Sequence, residues 1–137
     1  MGEITIRWVG GKMMVGTDSN GHSIAIGLSP DDPSRFIGVK PSDLLLLAAA
    51  SCSAVDVVEI LRKQREPLKD LTITCKGEQL SEPPYTFTQI HIHYMAYGPV
   101  NPERMEKAIR LSEDKYCSVI STLRPAVSIS SDFEILD

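Results

Sequence analysis

The residues of this chain with the most chemistry to offer are three cysteines and two closely spaced histidines. Cys52 lies in AAASCSAVDVV (48–58), Cys75 in LTITCKGEQL (71–80) and Cys117 in EDKYCSVI (113–120). A thiolate is a nucleophile and a metal ligand, whereas a buried thiol is a small, inert hydrophobe. Cys75 shares one face of a β-like run with Leu71 and Ile73, with nothing nearby to lower its pKa, and reads as core filler. Cys52 falls in the middle of a helical pattern, so no helix terminus can activate it. Asp56, one turn further on, would oppose a thiolate if ionised and close, so a reactive Cys52 needs a cation from outside its own helix. For Cys117 two readings stand. If the helix breaks near Asp114, Cys117 opens a new helical piece, where free N–H groups, the dipole and Lys115 favour a thiolate. If the helix is continuous, that argument vanishes. His91 and His93 point to one face of a strand at their i, i+2 spacing. Two imidazoles invite a metal, but no convincing third ligand accompanies them. The plainer reading puts both on the wetter face of a sheet whose other face carries Ile90, Ile92 and Tyr94.

The elements that must position these residues follow from periodicity and punctuation. Three β-like runs open the chain: EITIRWV (3–9), KMMVG (12–16) and HSIAIGL (22–28). Gly10-Gly11 and Asn20-Gly21 supply the turns between them. After a loop rich in proline and acid, a helix is predicted from Ser42 to Arg65, with Pro41 and Ser42 in its first turn, Asp43 at the positive end and Pro67 as its stop. At ~1.5 Å per residue it would reach roughly 36 Å. Its first half is apolar on every side, which calls for protein all around it and points to a second subunit. Strands are predicted at 71–80 and 86–98. Asn101-Pro102-Glu103 starts another helix, with a possible break at 112–114 and a second piece at 115–123. A final strand alternates Val127, Ile129, Ser131, Phe133 and Ile135. Strands, helix, strands, helix, strand is an α+β order.

The bulk properties narrow the function. The 137 residues fit a single domain, 1–137, and an apolar fraction of 42% suffices for a core. A formal net charge of −4 argues against a nucleic-acid partner. The N-terminal residues lack the layout of a signal peptide, and the apolar run Leu44–Val55 is too short to span a bilayer, so no membrane partner and a cytoplasmic location are expected. Three widely spaced cysteines without a C-x-x-C pair do not form a secreted disulfide framework.

KPSDLLLLAAASCSAVDVV (40–58), followed much later by DKYCSVI (114–120), resembles the OsmC/Ohr family, the osmotically inducible and organic hydroperoxide resistance proteins. The shared pattern is a proline, a nearby acid, a leucine- and alanine-rich helix with a cysteine, and a second cysteine in a later helix. The order of elements is similar as well, and the phrasing around each cysteine looks most like a poorly characterised OsmC-like branch. The resemblance implies an intertwined homodimer, antiparallel sheets packed around long central helices, and a thiol-dependent peroxidase. Cys52 would be the peroxidatic cysteine and Cys117 the resolving one, joined by a transient disulfide that an external thiol or dithiol reopens, with a small hydroperoxide as substrate and no bound cofactor or metal. The family also carries an arginine near the thiolate, held by an acid after the proline. Asp43 matches the acid, displaced by one place from the hydroperoxide-specific pattern, where this chain has Ser42. Lys12 stands where that branch has arginine, and Arg35 is an alternative cation. Lysine supplies charge without the planar fork of arginine. These departures motivate a rival reading, a redox-sensing or ligand-binding protein of the same fold with weak or no turnover. Asp43 and Cys52 are nine residues apart, on opposite faces of a regular helix and about 13 Å apart along it, so Asp43 would serve the site of a second subunit.

Overall fold

The computed structural model describes residues 2–137. The chain divides into two compact units, one reaching to Leu45 and the other spanning Leu46–Asp137. In the first, β1 (Thr5–Trp8), β2 (Met13–Thr17) and β3 (Ser23–Gly27) form an antiparallel meander. Its two turns use the glycines marked in the sequence, since Gly10, Gly11 and Gly21 all hold positive φ. Asp18 closes the second turn by accepting the N–H groups of Asn20 and His22 at 2.9 and 2.8 Å. The acidic loop then returns to this sheet, with Val39 bridging Ile26 and Phe36 bridging Leu28.

Helix α1 (Pro41–Lys63) begins in the first unit and continues into the second. It ends before Pro67 acts, because Arg65 takes the left-handed conformation (φ 58) and the N–H of Glu66 bonds back to the carbonyl of Leu61 at 2.9 Å. That six-to-one closure satisfies an end carbonyl that would otherwise be orphaned. The helix is longer than the apolar run at its centre, and by length and composition alone it could cross a membrane. One stripe of it packs into the core. Ala49, Ser53, Val57 and Leu61, one residue per turn, are all fully buried.

The second unit carries a sheet in the order β4 (Asp70–Gln79), β5 (Phe87–Tyr97), β6 (Ser128–Leu136). β4 and β5 are antiparallel, whereas β6 runs parallel to β5, with Tyr94 opposite Phe133. One ladder therefore departs from the antiparallel sheets expected. The long connection through α2 (Pro102–Leu111) and α3 (Ser118–Leu123) is the crossover that a parallel pair requires. Asn101 caps α2 as its sequence suggested, its side-chain oxygen accepting from the N–H groups of Glu103 and Arg104 at 2.9 and 3.1 Å. β5 alternates cleanly. Ile90, Ile92, Tyr94 and Ala96 are fully buried and form one core with the α1 stripe and with Met105, Ala108, Ile109 and Ile120.

Candidate active site: a cysteine pair on a buried polar network

Cys52 is half-buried on α1, next to the fully buried Ser53. Cys117 arrives by a less regular route. Past α2 the chain widens into a π turn, Ser112–Tyr116, which the N–H of Cys117 closes by bonding the carbonyl of Ser112, five residues back, at 2.7 Å. Such wide turns recur at functional sites. Cys117 then leaves helical conformation (φ −78, ψ 106) and caps α3, its sulfur accepting from the N–H of Ile120 at 3.4 Å. Of the two readings left open for Cys117, the broken helix is the one present, and the break falls at Cys117 itself. Both cysteines are free thiols, and Cys52 lies near enough to Cys117 to raise its pKa.

Helix-end activation of Cys117 is present but loses. The N–H groups of Ile120 and Val119 pull its pKa down, while burial first, and then Cys52, push it up to about 11. With only 2% of its surface exposed, Cys117 is held as a thiol at neutral pH.

Beneath the pair lies a chain of buried polar groups. Ser112 donates its single hydroxyl proton to Asp56 Oδ2 at 2.8 Å, and its oxygen lies 3.1 Å from Ser53 Oγ. Ser53 and Tyr94 share a 2.6 Å bond, and Tyr94 donates to Glu113 Oε2 at 2.8 Å. The Tyr94 proton is therefore committed to Glu113, which leaves Ser53 as donor to Tyr94. Ser131 donates to Glu113 Oε1 at 3.1 Å, and Arg110 reaches Ser131 at 3.2 Å and Glu113 at 3.8 Å. Ser53, Tyr94, Ser112 and Glu113 are at most 2% exposed, and each is partnered, as buried polar groups must be. Burial, ahead of the neighbouring Glu113, keeps the Tyr94 hydroxyl protonated far above the usual tyrosine range. Asp56, read from sequence as a threat to a Cys52 thiolate, also accepts a bond from the turn that leads to Cys117.

The other residues singled out in the sequence stand elsewhere. Lys12 is exposed in the β1–β2 turn, Arg35 is exposed in the acidic loop, and Asp43 is exposed in the first turn of α1. All three belong to the first unit, while Cys52 and Cys117 belong to the second. Cys75 is half-buried against the core, and burial raises its pKa. Sequence reasoning missed Tyr94, Ser112, Glu113 and the role of Ser53. A faint signal exists for Ser53, a polar residue in register with Ala49, Val57 and Leu61. None exists for Glu113, whose burial depends on strands distant in sequence.

His91 and His93 do share the open face of β5, facing carboxylates on β6. Asp132 Oδ1 lies 2.9 Å from His91 Nε2 and 2.7 Å from His93 Nδ1, and Glu134 lies 3.1 Å from His93 Nε2. Among the described residues, no group of three or more histidines, cysteines and carboxylates is arranged to hold a metal. The bond to Asp132, then that to Glu134, raises the His93 pKa above its usual 6.5, and the bond to His93 lowers that of Asp132 below 3.8. A raised histidine stabilises the fold fully below 6.5 and loses this as pH rises through its folded pKa. A lowered aspartate stabilises above 3.8 and loses this as pH falls through its folded pKa. The pair therefore contributes most between those two values. A His93→Gln variant should melt below the wild type near pH ~5 and approach it near pH ~9, which thermal unfolding at the two pH values will read. A gap that is equal at both would assign the effect to packing.

Comparison with known proteins places this geometry. The family model for OsmC-like protein matches residues 31–132. Protein YhfA of Escherichia coli (strain K12) is 33% identical over 132 residues, covering 96% of each chain. The crystal structure of a hypothetical protein from Aquifex aeolicus superposes with a TM-score of 0.84 at 32% identity, covering 100% of this chain and 98% of that one. The organic hydroperoxide resistance protein OhrB of Bacillus subtilis shares the fold at 16% identity, with a TM-score of 0.66 and 98% of each chain covered. The family match takes in both cysteine segments and well over half of the sequence: the chain belongs to the OsmC-like family.

Proposed function

We propose that this protein is a cysteine-based peroxidase for organic or small hydroperoxides, acting in oxidative-stress defence. The observation that carries the reading is the adjacency of two free thiols, Cys52 and Cys117, in an OsmC-like chain. The Cys52 thiolate attacks the terminal oxygen of the hydroperoxide and the O–O bond breaks. Sulfur keeps that oxygen as a sulfenic acid, and the departing alkoxide takes a proton to become an alcohol. The Cys117 sulfur then attacks the Cys52 sulfur, an S–S bond forms and water leaves. An external dithiol returns the two electrons by exchange and is itself oxidised to a disulfide. Lys12 or Arg35, held by Asp43 of a second subunit, is proposed to supply the positive charge beside the thiolate. A homodimer accompanies this reading, because Leu47 and Val55 leave an apolar stripe of α1 54% and 65% exposed. Sedimentation should give twice the chain mass; a monodisperse monomer removes the dimer from the proposal.

One observation favours a second reading, a sensor with little turnover. A resolving thiol with a pKa pushed up to about 11 attacks slowly at neutral pH. One experiment separates the two. Reduced protein receives one equivalent of an organic hydroperoxide and is followed by intact mass and peptide mapping. A Cys52–Cys117 bridge within seconds supports the peroxidase, a lasting sulfenic acid on Cys52 supports the sensor, and unmodified thiols overturn both.

A further inference from the structure

We propose that Ser112 is a positioning residue that sets the reach of Cys117 to Cys52, with Asp56 as its anchor on α1. The inference rests on the cysteine-pair reading above. Ser112 touches both carriers of the pair. Its carbonyl receives the N–H of Cys117 at 2.7 Å, which closes the π turn. Its hydroxyl reaches Asp56 at 2.8 Å and Ser53 at 3.1 Å, the residues four places and one place after Cys52 on α1. No other residue joins the backbone of Cys117 to the cysteine-bearing segment of α1 through its own hydrogen bonds among those described.

Packing alone does not call for a hydroxyl at this fully buried point, since alanine would fill nearly the same volume. A hydrogen bond to a charged group, unlike an apolar contact, has a defined length and direction. That matters in a ring-closing reaction, where small displacements of the reacting atoms cost large factors in effective concentration. A second latch runs in parallel, from Glu113 through Tyr94 to Ser53, but it acts on the turn one residue further along and by way of β5. Ser112 is the direct link.

The test is the equilibrium between the Cys52–Cys117 dithiol and its disulfide in mixtures of reduced and oxidised glutathione. Closing the ring reduces one oxidised glutathione to two thiols, so the constant reads effective concentration without any peroxide. Ser112→Ala and Asp56→Ala should each lower this constant by roughly tenfold or more, and Asp56→Asn, which keeps the acceptor, should stay within about threefold of wild type. In Ser112→Ala, oxidation of Cys52 by a hydroperoxide in single turnover should change by less than about twofold, since that step does not use the latch; the Asp56 variants are read through the disulfide constant alone, because Asp56 sits one turn from Cys52. Thermal unfolding checks that each protein is folded, and Asp56→Ala, at a half-buried site, stands in should Ser112→Ala not fold. A constant unchanged in both alanine variants overturns the proposal. So does a loss in Asp56→Asn equal to that in Asp56→Ala, or an equal fall in both steps in Ser112→Ala. A wild type that forms no disulfide ends the cysteine-pair reading, and the latch with it.

Discussion

A Cys52→Ser variant will consume organic hydroperoxide no faster than buffer containing the same reductant, a loss of at least ~10³-fold. The size of the loss follows from where the other thiols lie. Cys117 is 2% exposed and burial holds it protonated, so it has neither access to a peroxide nor a thiolate with which to attack. Cys75 is half-buried against the core, its pKa also raised by burial, and no cation or N–H group acts on it. Serine is a close match in size, so the α1 stripe beside it should pack unchanged, and a Cys75→Ser control should keep the wild-type rate. Peroxide consumption with a dithiol reductant is the measurement. Residual turnover above a tenth of wild type would move the nucleophile elsewhere.

How much of this was legible follows from which forces act locally. The turns at Gly10-Gly11 and Asn20-Gly21, the cap at Asn101-Pro102 and the start of α1, expected at Ser42 and found one place earlier at Pro41, are set by residues a few places apart. The end of α1 shifted from Arg65 to Lys63 because Arg65 adopts a left-handed conformation that a charged residue does not advertise. The break before Cys117 was one of two readings the sequence left open, beside a continuous helix. Its form, a π turn closed on Ser112, was not legible, since the same residues fit an ordinary helical end. The site divides in the same way. Two cysteines in two motifs could be named from the chain alone. The network beneath them could not, because Ser53, Tyr94, Ser112 and Ser131 come from four elements whose meeting is decided by the parallel pairing of β5 and β6. Small polar residues on apolar faces are the only trace such a network leaves in a sequence.

A Cys117→Ser variant should fold, react once and stop. Folding is expected because Cys117 caps α3 by accepting the Ile120 N–H, a task at which a serine hydroxyl excels. The first step depends on Cys52 alone, so about one hydroperoxide is consumed per chain and Cys52 gains one oxygen, about 16 Da. With no thiol to resolve it, the sulfenic acid persists, and excess peroxide carries it on to sulfinic acid at about 32 Da, which dithiols do not reverse. The wild type should instead lose about 2 Da as the bridge closes. Its closing rate carries a pH signature, because Cys117 must shed its proton to attack and its pKa is pushed up to about 11, chiefly by burial. Oxidation of Cys52 removes the opposition of a second thiol but not the burial. The thiolate fraction of Cys117 therefore grows with pH by up to tenfold per unit below that value, and bridge formation should speed up as pH rises from 7 to 9. Intact mass at timed quenches reads both the oxygen count and the rate. If the bridge closes at the same rate across this range, proton loss from Cys117 does not limit resolution, and the sensor reading loses its support.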